Sequence, residues 1–265
     1  MQSEAHLKRD IGFFGAAFLV LNAVIGAGIF ALPGKVAVSA GLFSPWLFLI
    51  VGVLFLSVVL TFAELSSYYE RTGGPVLYAT DAFGPLAGFS TGWLIYLARM
   101  TAFAANANVM AAYLASLSEV FASDGARMAI ISVVTIGLTW ANLRGVKDGV
   151  RTMGVFTVFK IVPLLLLVLL GLQHVTGATL IPGDFHVDQI GDTTLLLIYA
   201  YVGFETIGVT AGETSQPRRT IPAALVRTVI STGVLYFLIV LIFISVIAAE
   251  NYADATLVDV GRVLA

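Results

Sequence analysis

Residues 161–172 read IVPLLLLVLLGL and residues 234–249 read VLYFLIVLIFISVIAA. Both runs are apolar on every face. A strand crossing a bilayer would alternate in polarity over about ten residues, and a helix lying on a soluble core would keep a polar side. Neither pattern is present, so both runs read as helices built for hydrocarbon. A spanning helix takes roughly 17 to 25 predominantly apolar residues. Working outward with that requirement extends the two runs to 153–174 and 228–249 and adds 12–32, 43–66, 86–117, 128–142 and 193–212. The expected fold class is an all-α polytopic membrane protein with seven transmembrane helices. The third stretch is overlong and flecked with polar residues, so part of it is expected to lie inside the bundle or to protrude.

Composition agrees. Over 265 residues, 58% hydrophobic and 11% charged with a mean hydropathy of +0.96 does not fit a water-facing surface. The 14 Lys and Arg and 16 Asp and Glu are enough only to decorate loops. A net charge of −2 leaves no basic footprint for nucleic acid. The absence of cysteine excludes disulfides, thiolate metal sites and cysteine nucleophiles. His6, His174 and His186 fall in tails or loop ends, and there is no HExxH, Walker loop or GxSxG. An embedded enzyme would need a nucleophile, metal ligands or an acid–base pair near one interface. None is legible, so no enzyme activity, metal or cofactor is expected.

The first span follows Lys8 and Arg9, as a signal peptide would, but its apolar run is too long and no Ala-x-Ala cleavage site follows. With a cytoplasmic N-terminus, the inner segments carry Lys8, Arg9, Arg71, Arg144, Lys147, Arg151, Arg218, Arg219 and Arg227. The outer segments carry Lys35, Arg127 and Arg262. That asymmetry predicts the orientation, with the N-terminus cytoplasmic. The outer loops are acidic (Glu119, Asp124, Asp184, Asp188, Asp192, Asp254, Asp259). Seven spans leave the polar segment 251–265 outside, with no eighth span.

Two spans are interrupted by glycine: Asn22-Ala-Val-Ile-Gly26-Ala-Gly28-Ile-Phe30 in the first and Tyr199-Ala-Tyr-Val-Gly203-Phe-Glu205-Thr-Ile-Gly208 in the sixth. Glycine costs about 1 kcal/mol against alanine inside a helix and permits backbone angles that unwind it. Unwound backbone at membrane depth is tolerated where it lines a cavity, and paired interruptions point to a transporter's binding site. The alternative is that small residues only let helices pack closely.

These residues resemble the amino acid-polyamine-organocation superfamily of secondary transporters. The resemblance rests on GAGIF (26–30), AELSSYYERTGGPVLYATDAFG (63–84), NLRGVKDGV (142–150) and YVGFETIGVTAGETSQPRRTIPAAL (201–225), in that order along the chain. It implies a five-plus-five inverted repeat in which helices one and six are discontinuous around the substrate. Residues 1–265 then form one transmembrane domain, with 1–175 as the first repeat and 190–265 as the start of the second. Helices eight to ten of such a fold are absent. The chain is therefore expected to be the N-terminal part of a transporter that needs missing C-terminal helices for a complete transport path. The implied function is a secondary active amino acid permease of a plasma membrane, the inner membrane if bacterial, proton-coupled and working by alternating access, as symporter or antiporter. The competing class is a channel or a non-transporting membrane scaffold.

An amino acid presents a carboxylate, which suits the N–H groups of a half-helix N-terminus, and an ammonium, which suits carbonyls released by unwinding. The backbone of Ile25, Gly26, Ala27, Gly28 and Ile29 would hold the first, and carbonyls around Tyr201, Val202 and Gly203 the second. Glu205 is read as a substrate contact or gating hydrogen bond, against a plain tie between helices. Tyr199 and Tyr201 are pocket lids or packing. Arg99 shares a helix face with Phe103 and Asn106. That stripe either lines the pocket or holds an Arg99–Glu ion pair that fixes packing. Glu64 reads as a structural tie, and Glu213 with Arg218 and Arg219 as caps for helix six. Lys160, inside the fifth span, reads either as a snorkelling anchor or, by family resemblance, as a proton-coupling residue. In the second case its ammonium stands where sodium-coupled relatives hold sodium, near the carbonyls of Ile25 and Gly26. The expected partners are an amino acid or related amine, protons and the bilayer.

Overall fold

The computed structural model describes residues 9–144, 146–183 and 190–264. His6, Lys8, Asp184, His186 and Asp188 lie outside the described residues, as do the side chains of Arg144, Lys147, Arg151 and Asp192. The described residues form helices and no strand. They are α1 (Phe13–Val24), α2 (Ala27–Ala40), α3 (Ser44–Ser67), α4 (Pro75–Phe83), α5 (Pro85–Leu117), α6 (Asp124–Arg144), α7 (Val146–Gly171), α8 (Gly177–Leu180), α9 (Ile190–Tyr201), α10 (Pro217–Val246) and α11 (Leu257–Leu264), with 3-10 turns between them. Four stretches, Ala27–Ser67, Thr157–His174, Thr193–Glu213 and Pro217–Val246, are long and apolar enough to cross a membrane. The chain is an all-helical membrane protein.

Boundaries differ from the sequence expectation where amphipathic turns prolong apolar runs. α10 begins at Pro217 rather than 228. Its first turns bury Ile221, Ala224, Leu225 and Thr228, the i, i+3, i+4, i+7 stripe of a helix face. α5 runs unbroken for 33 residues, about 50 Å at 1.5 Å per residue against roughly 30 Å of hydrocarbon. The segment read as a polar tail holds α11, whose start is capped because Asp259 accepts from the Thr256 N–H (2.8 Å) and Thr256 Oγ1 accepts from the Val258 N–H (3.2 Å).

The chain divides into two compact units. The first comprises Met1–Gly28, Trp46–Met100 and Gly191–Phe237; the second comprises Ile29–Pro45, Thr101–Ile190 and Leu238–Ala265. In the first unit a run of rings passes Phe62, Phe204, Phe55, Tyr201, Tyr236 and Phe48, with successive centroids 5.2 to 6.2 Å apart. Aromatic pairs of this kind add about 0.5–1.5 kcal/mol each beyond their buried area. Residue 11 pairs in parallel with residue 214: the Ile11 N–H donates to Glu213 O (3.1 Å) and the Ser215 N–H to Ile11 O (2.8 Å). Beside this pairing Glu70 accepts from Arg9 (3.3 Å) and Arg218 (3.0 Å). Arg218 is thus tied to the α3–α4 loop. Tyr78 on α4 stacks against Tyr69 at 4.6 Å, and burial first, then Tyr69, pushes its phenol up to about 12, so it stays neutral at physiological pH.

In the second unit the Tyr113 hydroxyl donates to Phe30 O (2.7 Å), and Arg262 of α11 donates to Ser116 O at the end of α5 (2.7 Å). An apolar cavity of about 440 Å³ lies between α7 and α11, with Leu167, Leu170, Leu257 and Leu264 among its walls.

Candidate functional site

The first interruption falls at Ile25–Gly26. Ile25 takes φ −73°, ψ 83°, and the Gly26 N–H donates to Val24 O at 2.8 Å, closing a three-residue turn in place of the next helical bond. The helix restarts at Ala27. The first N–H groups of α2, those of Ala27 and Gly28 among them, have no intrahelical acceptor, and the helix dipole points its positive end at the break. Gly26 itself is half-buried, while Ile25, Ala27, Gly28 and Ile29 are buried.

The second interruption follows Tyr201. Gly203 has φ +124°, a conformation L side chains rarely adopt, and beyond it Phe204–Glu213 continues as a tight 3-10 helix. Glu205 closes the turn, its Oε2 accepting from the Gly203 N–H at 2.9 Å. Thr206 donates to Gly203 O through its hydroxyl (2.7 Å) and its N–H (3.3 Å). The other carboxylate oxygen of Glu205 pairs with the Arg99 guanidinium of α5. Arg99 and Glu205 are 106 positions apart, so no local period could have paired them.

The two interruptions meet inside the first unit. A Cβ on Gly203 would run into the carbonyl of Ala23, the last turn of α1. A Cβ on Gly28 would sit 2.8 Å from Ala200 Cα in α9. Gly28 therefore makes a close helix contact, whatever else its backbone does, and the unwound residues are Ile25 and Gly26. Carbonyls at both breaks converge on Tyr236, a fully buried residue of α10 whose hydroxyl lies 3.2 Å from Val24 O and 3.2 Å from Ala200 O. Sequence reading missed it. The available signal was weak: a tyrosine in an apolar run, whose hydroxyl finds a partner when buried. Tyr236→Phe should lower stability by about 1–2 kcal/mol, because the one hydroxyl proton shared between the two buried carbonyls is lost. An unchanged melting temperature in detergent would show that the hydroxyl holds neither break.

The ring of Tyr201 is fully buried, and its hydroxyl donates to Phe48 O (2.8 Å) across the space left by Gly52. Its side chain is taken up in packing rather than poised as a lid. Tyr199 and Val202 are exposed at 37% and 40%. Ile29, Phe103 and Lys160 belong to the second unit; Phe103 is exposed, and Lys160 is half-buried on α7 one turn after the fully buried Thr157. Among the described residues no cluster of His, Cys, Asp or Glu could hold a metal ion.

Two helix breaks thus meet in the first unit, one with N–H groups that have no intrahelical acceptor and the other with a carboxylate–arginine pair. The family model of amino acid permeases matches residues 11–265. The chain belongs to the amino acid permease family. This is a family of membrane transporters and not of enzymes, and it bears out the superfamily resemblance. The permease is 26% identical over 253 residues to the serine/threonine exchanger SteT of Bacillus subtilis, covering 92% of this chain and 57% of SteT. It is 25% identical over 269 residues to the branched-chain amino acid permease BcaP of the same organism (94% and 57%). It is 29% identical over 240 residues to the human large neutral amino acids transporter small subunit 2 (83% and 44%). The chain thus spans about half the length of these relatives.

Proposed function

We propose that this permease is part of a secondary active transporter that binds an amino acid between the two breaks. The observation that carries the reading is the meeting of the breaks in one unit, Gly203 against Ala23 and Tyr236 against Val24 and Ala200. The carboxylate would take the N–H groups at Gly26–Gly28, and the ammonium the carbonyls near Tyr201–Gly203. The relatives' printed substrates, all amino acids, support the same reading. The proposed topology counts α1 with α2, α3, α5, α6, α7, α9 with its 3-10 continuation, and α10 as seven spans. The first five form one repeat and the last two open an inverted second repeat within a single transmembrane domain. The N-terminus is assigned to the cytoplasm of a plasma membrane. Arg9, Arg71 and Arg218, all placed inside by the charge asymmetry, gather at one end of the first unit around Glu70 and Asp81. Transport itself is proposed for a chain that also carries the counterpart of the relatives' unmatched length.

The test is equilibrium binding of radiolabelled amino acids to the purified chain in nanodiscs. Saturable one-site binding of at least one is expected. Its absence across all twenty would overturn the site and leave the scaffold or channel reading.

Lys160 is proposed to carry the coupled proton, its half-burial on α7 setting it apart from the loop cations. In the full-length protein in proteoliposomes, Lys160→Gln should abolish uptake driven by a pH gradient while leaving substrate exchange without a gradient within about threefold of wild type. Gradient-driven uptake equal to wild type would make Lys160 a snorkelling anchor.

A further inference from the structure

We propose that the Arg99–Glu205 pair makes this site selective for amino acids whose side chain carries no charge. The inference rests on the reading of the helix breaks as the amino acid site and adds the substrate class to it.

The argument is a charge balance. α1 contains no ionisable residue. Of the other charges described in the first unit, Glu70 holds Arg9 and Arg218, Arg71 pairs with Asp81, Arg227 lies over the Phe13 ring at 5.2 Å, Asp10 and Glu213 adjoin the Ile11–Thr214 pairing, and Arg219 lies in the first turn of α10. Glu64 is exposed at the end of α3 beside the Tyr68 hydroxyl. Arg99 and Glu205 are the charged pair set at the second break, and they neutralise each other. Both oxygens of Glu205 are engaged, one by the guanidinium and one by the Gly203 N–H, and its side chain is only 18% exposed. The α-groups of a substrate meet backbone dipoles of no net charge at both breaks. A zwitterion with a neutral side chain therefore enters a site of zero net charge and leaves it so.

A charged side chain breaks that balance. A lysine ammonium meets a carboxylate already satisfied and next to a guanidinium, while a glutamate carboxylate meets a guanidinium already paired. Either ion gives up its water without gaining a counter-charge, which is costly at membrane depth. Removing one member of the pair should invert the choice. Glu205→Gln keeps an oxygen acceptor for the Gly203 N–H and frees Arg99 for an anion. Arg99→Gln frees Glu205 for a cation.

The experiment is competition against a labelled neutral amino acid, chosen as the wild type's tightest ligand, by lysine and glutamate in nanodiscs. Wild type should prefer the neutral ligand over both by at least about a hundredfold, as expected for an uncompensated buried charge. Glu205→Gln should narrow the gap for glutamate by at least about tenfold without helping lysine, and Arg99→Gln the reverse. The exchange Arg99→Glu with Glu205→Arg should restore neutral preference. Wild type that binds lysine or glutamate within about tenfold of the neutral ligand overturns the inference while leaving the site reading intact. So do folded single variants whose charge preference is unchanged. Should the single variants aggregate, the wild-type panel and the exchanged pair still decide. Wild type that binds no amino acid at all is the separate failure of the site.

Discussion

Gly203→Ala is expected to abolish saturable amino acid binding and to lower stability by about 3 kcal/mol, with membrane insertion unchanged. Two costs add at this residue. Its φ of +124° lies where an L side chain is strained, about 1–2 kcal/mol, and the new methyl would collide with the carbonyl of Ala23, which is backbone and cannot rotate aside. Relief requires α1 to draw back from the second break. That movement pulls Val24 O away from the Tyr236 hydroxyl that also reaches Ala200 O. Insertion survives because the apolar run of the sixth span is unaltered. Gly137→Ala, in open space on α6, is the control and should match wild type or be slightly more stable. The measurement is a paired melting curve and binding isotherm. Wild-type values for both in Gly203→Ala would mean that the two breaks do not touch.

The breaks were legible because glycine in an apolar helix is a local anomaly, and the helices because apolar run length is a local property. What connects the breaks was not. Tyr236 sits 212 positions from Val24 and 36 from Ala200, and nothing in VLYFLIVLIF distinguishes a bridging tyrosine from a packed one. The Arg99–Glu205 pair was foreseen only as one of two alternatives, since a polar stripe on α5 shows that a partner is needed without saying which carboxylate supplies it. Tyr201 was left between lid and packing for a related reason: a tyrosine beside a break can face a pocket or the core, and its contacts lie with Gly52 and Phe48 on α3. The start of α11 could have been read, because Thr256-Leu-Val-Asp259 has the spacing of a capping box.

The pairing of Ile11 with Thr214, flanked by the Arg9–Glu70–Arg218 cluster, shows how the first unit handles the cost of its breaks. Unwinding removes helical bonds, and the 3-10 geometry of Phe204–Glu213 gives poorer ones. Backbone bonds to Glu213 O and from Ser215 N–H, together with Thr214 Oγ1 donating to Thr210 O (2.9 Å), tie off the far end of that segment. The exposed ion pairs add little individually, about 0–1 kcal/mol each. Their role is to fix where the segment before α1 lies relative to the end of the 3-10 helix.

Gly28→Leu separates the two readings of the GAGIF stretch. If Gly28 lent its backbone to a substrate and nothing more, a leucine would cost binding but leave stability untouched. The packing gives a different expectation. A Cβ at residue 28 falls 2.8 Å from Ala200 Cα and 3.0 Å from Ala200 Cβ, so even alanine is overpacked and leucine cannot be seated without moving the first turn of α2 away from α9. Overpacking of this kind costs about 1–3 kcal/mol or more, and here it also displaces the N–H groups of Ala27 and Gly28 from the second break. Both the melting temperature and the affinity should therefore fall, affinity by at least about tenfold. Gly26 does not have a positive φ, so Gly26→Ala can keep its backbone conformation and should retain more stability than Gly28→Leu. The comparison is read from melting curves and isotherms of the two variants side by side. Gly28→Leu with wild-type melting and lost binding would return Gly28 to the substrate, and wild-type values of both would remove the contact between α2 and α9 from the site.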